Sequence, residues 1–107
     1  MRRKRTEASP SFETIDRLVH EPARLSIMAH LYVLDFADFV YLMNETGLTR
    51  GNLSSHMSKL EDAGYISVEK TFEGKIPRTV LSLTGSGRDA LRSYRRTMEG
   101  VVSTLPE

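Results

Sequence analysis

Residues 47–63 read Gly-Leu-Thr-Arg-Gly-Asn-Leu-Ser-Ser-His-Met-Ser-Lys-Leu-Glu-Asp-Ala, and Gly64-Tyr65-Ile66 follows at once. A short helix here keeps one thin apolar stripe, Leu53, Met57 and Leu60, spaced i, i+4, i+7. The other positions are small, polar or basic: Thr49, Arg50, Asn52, Ser54, Ser55, His56, Ser58 and Lys59. Serine is a mediocre helix former, so a helix that only had to pack would carry fewer of them. A helix that enters a DNA major groove needs this surface: short hydrogen-bonding side chains for base edges and phosphates, with a few cations.

Charge is segregated in the same sense. Residues 47–98 hold nine Lys/Arg against five Asp/Glu, whereas residues 20–46 hold one against four. A basic region of this kind attracts polyanions in a way that the overall net charge of +1 conceals. The 107 residues suit one domain with a modest core. The absence of cysteine excludes disulfides and thiolate metal sites and fits an intracellular protein. No apolar run is long enough for a transmembrane helix, and the basic start lacks the apolar stretch of a secretory signal.

Residues 1–11 read as a flexible basic arm, with Arg2, Arg3, Lys4 and Arg5, either reaching a minor groove or merely solubilising the chain. Ser11 is the expected cap of a short helix over residues 12–19. Pro22 suits the first turn of a helix running to about Leu34, with Leu25, Met28, Ala29, Leu31 and Tyr32 on its buried face. Asp35 is the expected N-cap of a third helix, Phe36 to about Glu45, with Phe36, Phe39, Val40 and Met43 inward. Gly47 supplies a left-handed C-cap, Leu48 plugs the core, and Thr49 caps the reading helix of about residues 49–63. A β-hairpin follows over about residues 65–83, with strand-forming runs around Tyr65–Phe72 and Thr79–Leu83 and a turn-rich basic connection, Glu73–Arg78. Thr84 caps a last helix of about residues 85–104. Two strands alone make no stable sheet, so they must lie on the helices, with a third short strand expected near Asp35.

Order and spacing resemble the winged helix-turn-helix transcriptional regulators of the general MarR and ArsR type. The resemblance rests on Pro22–Met28, on Leu48–Ile66, and on Pro77-Arg78-Thr79 with Leu81-Ser82-Leu83-Thr84-Gly85-Ser86-Gly87-Arg88, and it spans about residues 20–95. It implies an α+β, mainly α fold over residues 12–107: a winged helix-turn-helix with a hairpin wing and a C-terminal dimerisation helix. It also implies a homodimer that binds operator double-stranded DNA and usually represses transcription, in the cytoplasm and on the nucleoid. Many members respond to a metal or a small-molecule effector. The chain departs from the metal-sensing pattern, since it lacks cysteine and His20, His30 and His56 lie in three different segments. No metal or cofactor is expected.

The candidate DNA contacts are therefore Thr49, Arg50, Asn52, Ser54, Ser55, His56 and Lys59 on the reading helix, and Lys70, Lys75 and Arg78 on the wing. Arg pairs with guanine, Asn with adenine, and Ser or His with phosphate or base. Gly51, early in the helix, either admits DNA close to the backbone or marks a loose first turn. Arg88, Arg92, Arg95 and Arg96 share one face of the last helix and read best as solvated. Tyr94, Met98, Val101, Val102 and Leu105 extend that helix beyond what a small core covers. With Phe12, Ile15 and Leu18 they form the expected dimer surface. The competing reading is a winged-helix protein-interaction module without specific DNA binding. Paired carboxylates on a pocket, a nucleophile triad and a phosphate loop are all missing, so no enzyme is expected.

Overall fold

The computed structural model describes residues 12–107. The basic arm, Ser11 included, lies outside them. In chain order the elements are α1 (Pro22–Val33), β1 (Ala37–Asp38), α2 (Phe39–Thr46), α3 (Arg50–Asp62), β2 (Ile66–Glu73), β3 (Ile76–Leu83) and α4 (Gly85–Ser103). The three strands form one antiparallel sheet in the order β1-β3-β2.

The helix expected over residues 12–19 is only a 3-10 turn, Phe12–Thr14. Asp16 diverts the chain. Its Oδ1 accepts the Leu18 and Val19 N–H groups at 2.9 and 3.2 Å, and its Oδ2 accepts the Tyr65 hydroxyl at 2.6 Å. A local Asx turn competes with the helix ladder and wins where a distant partner fixes the carboxylate.

Helix α1 starts as expected. Pro22 occupies the first turn, where its missing N–H costs nothing, and Glu21 Oε1 accepts Arg24 N–H at 2.7 Å. Its buried residues are Ile27, Met28 and Leu31. Ala29, expected on that face, is exposed, and Val33 is 82% exposed.

Helix α2 starts three residues later than the sequence suggests. Ala37 and Asp38 pair with Leu81 and Val80, so the backbone there is strand, and Asp38 rather than Asp35 is the cap. Asp38 Oδ1 accepts the Val40 and Tyr41 N–H groups at 2.7 and 3.3 Å. The later start rotates the helix. Phe39 and Leu42 are buried, while Phe36 is 68% exposed and Val40 faces outward. The third strand is thus present near Asp35, at Ala37–Asp38.

The hairpin strands are longer than expected. Residues Ile76–Arg78 belong to β3, Glu73 pairs with Ile76, and the turn is only Gly74-Lys75. Pro77 is tolerated because β1 pairs β3 only at residues 80 and 81, which leaves Pro77 on an edge. Val19, Ile27, Met28, Leu31, Phe39, Leu42, Leu53, Leu60, Ile66, Leu81 and Leu83 meet in one core between the helices and the inner face of the sheet.

Candidate nucleic-acid interface

Helices α2 and α3 form the helix-turn-helix. Gly47 ends α2 with φ of 73°, a left-handed conformation that side chains with a Cβ resist, and its N–H donates to Met43 O at 3.0 Å. Leu48 packs against the core, and Thr49 Oγ1 accepts Asn52 N–H at 3.1 Å to begin α3. Leu53 and Leu60 are fully buried and Met57 packs beside them, as the stripe required. At 100° per residue, Gly51, Ser55 and Ser58 then point directly away from the core. Asn52 and Lys59 flank them on one side, and Arg50 and Ser54 on the other. All seven are exposed.

Two of the seven candidate contacts on this helix have structural duties. The Thr49 hydroxyl is used as the cap. His56 turns toward α1 and is half-buried: its Nδ1 lies 3.1 Å from Arg24 Nη1, and Glu21 Oε1 lies 3.9 Å away. Arg24 also donates through Nε to Leu18 O at 2.6 Å. Burial pushes the Glu21 carboxyl up. The Arg24 N–H, the His56 ring and the Arg24 guanidinium outweigh that and hold it below its ordinary value. His56 therefore joins α3 to the start of α1. Arg50 remains exposed, but its guanidinium lies over the Phe39 ring, 5.5 Å from the centroid, which restrains its direction.

On the wing, successive residues alternate between faces. Ile66, Val68, Lys70 and Phe72 share the inner face with Leu83, Leu81, Thr79 and Pro77, their partners on β3. Glu69, Glu73, Ile76 and Arg78 are on the outer face. Lys70 and Lys75 are exposed, Lys75 at the turn. Arg78 is committed within the chain: Nη1 lies 3.4 Å from Asp38 Oδ2 and Nη2 lies 3.6 Å from Glu73 Oε1. It braces the wing against the carboxylate that caps α2. The sequence carried no local sign of this, because Arg78 and Asp38 are brought together only by β1–β3 pairing.

The expected dimer residues divide. Phe12, Val102 and Leu105 are exposed, Ile15 is half-buried, Leu18 and Tyr94 pack against the core, and Val101 is buried within the chain. The Tyr94 hydroxyl is 2.8 Å from His20 Nδ1. Met98 and Val102 line a groove of about 800 Å³ between α4 and α1, whose other apolar walls are Leu25, Ala29, Val33 and Leu91. Sequence reasoning missed the α1 side. Arg88 and Arg92 clasp Tyr32 at the rim, 5.2 and 5.7 Å from its ring centroid, so these two arginines fasten α4 to α1.

A capped helix α3 with an open polar face, set after a tight glycine turn and beside a braced hairpin, defines a winged helix-turn-helix protein. The family model described as a winged helix DNA-binding domain matches residues 23–102, and the chain belongs to that family. An uncharacterized protein of Methanocaldococcus jannaschii is 34% identical over 79 residues, which is 73% of this chain and 85% of the relative. The structure is similar to that of a transcriptional regulator homologue protein from Pyrococcus horikoshii OT3, with TM-score 0.80 and 29% identity, covering 86% of this chain and 91% of the other. It shares its fold with a mutant MarR from E. coli solved with operator DNA, at TM-score 0.62 and 14% identity, over 77% of this chain and 64% of that one. Among the described residues no helix is long and apolar enough to cross a membrane.

Proposed function

We propose that this chain is a sequence-specific, homodimeric regulator of transcription that represses from a pseudo-palindromic operator in the cytoplasm. The observation that carries the reading is the open face of α3. Arg50, Asn52, Ser54, Ser55, Ser58 and Lys59 are exposed on a helix that buries Leu53 and Leu60 fully on its other side. Asn52 and Arg50 supply base-edge recognition, and the serines with Lys59 supply phosphate contacts. Lys70 and Lys75 extend the cationic track along the wing, while Arg78 and His56 hold wing and helix in place. The apolar groove between α1 and α4 is read as the seat of a second copy. Two reading helices then enter successive major grooves, with half-sites about one turn apart.

Selection of bound sequences from random duplex DNA at two salt concentrations tests the proposal. A symmetric enriched motif, with affinity falling steeply as salt rises, is expected. No enrichment and a flat salt dependence would favour a protein-interaction module instead.

A further inference from the structure

The far end of the wing carries two exposed apolar side chains. Phe72 is 69% and Ile76 57% exposed. They differ in their surroundings. Ile76 shares the outer face with Glu69, Glu73 and Arg78, and that guanidinium is already engaged by Glu73 and Asp38. Phe72 shares the inner face with Lys70, Thr79 and Pro77, and no acid lies there along the hairpin. Pro77 sits directly across from Phe72, and Lys75 lies at the turn beyond it. One face of the tip thus joins a projecting aromatic ring to Lys70, with Lys75 at the adjoining turn, and the carboxylates are on the other face.

Reach agrees with this division. Val68 is the last half-buried residue of β2, and Lys70 and Phe72 continue its face past the body. Four further residues at about 3.3 Å each carry Phe72 roughly 13 Å beyond Val68. Half a helical turn of B-DNA, about 17 Å, separates a major groove from the flanking minor groove. A hairpin rooted against α3 therefore spans most of that step.

We infer that Phe72 is a minor-groove wedge: the wing lays Lys70 and Lys75 along the phosphates and presses the ring of Phe72 against a base step beside each half-site. Apolar side chains used in this way partly unstack a step and kink the duplex. Pyrimidine–purine steps yield most readily, so the wedge adds a preference for TA or CA at a position the reading helix does not touch. The inference rests on the DNA-binding reading above.

The test uses the full chain and a duplex enriched by selection, with 2-aminopurine placed at the flanking step. Wild type should raise the probe's emission on binding, and Ile76→Ala should behave like wild type. Phe72→Ala should bind about tenfold more weakly, the loss expected of one stacked aromatic, and leave the probe dark. Because the chain has no tryptophan, Phe72→Trp adds a unique reporter whose emission should be quenched by the duplex. If wild type binds while Phe72→Ala matches it in affinity and probe signal, and the introduced indole stays solvent-like, the wedge is refuted and DNA binding stands. If wild type binds no duplex, the reading beneath the wedge fails, and the wedge fails with it.

Discussion

Replacing Gly87 by alanine should destabilise the fold, although alanine is the better helix former. Gly87 lies in the first turn of α4, where Thr84 Oγ1 accepts its N–H at 2.9 Å. A Cβ there would collide with the carbonyl oxygen of Tyr65, and it would stand 2.9 Å from Tyr65 C and 3.1 Å from Leu83 Cδ2. The Tyr65 carbonyl cannot step aside, because it accepts Thr84 N–H at 3.1 Å, and Thr84 in turn donates to Gly64 O at 2.6 Å. Overpacking costs about 1–3 kcal/mol, and a collision with backbone belongs at the upper end. The propensity gain of alanine offsets at most about 1 kcal/mol. The net loss is roughly 2 kcal/mol, or on the order of 10–15 °C in melting temperature for a domain of this size. Thermal melts followed by helical circular dichroism read this directly. Gly51→Ala is the internal control: its Cβ would meet nothing within 4 Å, so the melt should rise slightly. Equal melting of Gly87→Ala and wild type would refute the close-approach argument.

Three further outcomes follow from the contacts. The Tyr65 hydroxyl donates to Asp16 Oδ2, and that bond, with burial and the Asp16 charge, pushes its pKa up to about 12. The unfolded chain releases this proton near the ordinary value of about 10. Wild type should therefore lose stability as pH rises from about 10 to 12, and Tyr65→Phe, roughly 1 kcal/mol less stable at neutral pH, should lack that loss in alkaline denaturant titrations. Lys59→Ala should make the salt dependence of DNA binding shallower by about one unit of slope, whereas Arg78→Ala should leave the slope unchanged and cost stability instead, as binding titrations at several salt concentrations would show. Val102→Glu places a charge in the α1–α4 groove at an exposed position, so light scattering should find folded monomer; an intact dimer would remove the groove from the interface.

The parts legible in the sequence were those set by neighbours along the chain. The Thr49 cap and the Leu53, Met57 and Leu60 stripe define α3 within a dozen residues, and the structure keeps both. Gly47 is equally local. The start of α2 was not legible, because Asp35 and Asp38 each precede a phenylalanine. The choice between them is made by β1 pairing with β3, about forty residues away, and with it go the directions of Phe36 and Val40. The helix expected over residues 12–19 failed for the same kind of reason, since Asp16 answers to Tyr65. In the candidate site, the open face of α3 was readable from composition. The duties of His56 and Arg78 were not, because their partners, Arg24 and Asp38, lie in other elements. Gly87 stands in the Leu81–Arg88 run that carries the resemblance, but the carbonyl that demands a glycine there is not visible in the sequence.

The central claim is that the exposed side of α3 reads bases. It is tested most directly by the affinity of wild type and Asn52→Ala for a selected operator and for a scrambled duplex of equal length, at one salt concentration. Asn52→Ala should weaken operator binding by roughly 1–3 kcal/mol and leave scrambled binding unchanged. Equal affinity of the two proteins for the operator would contradict it.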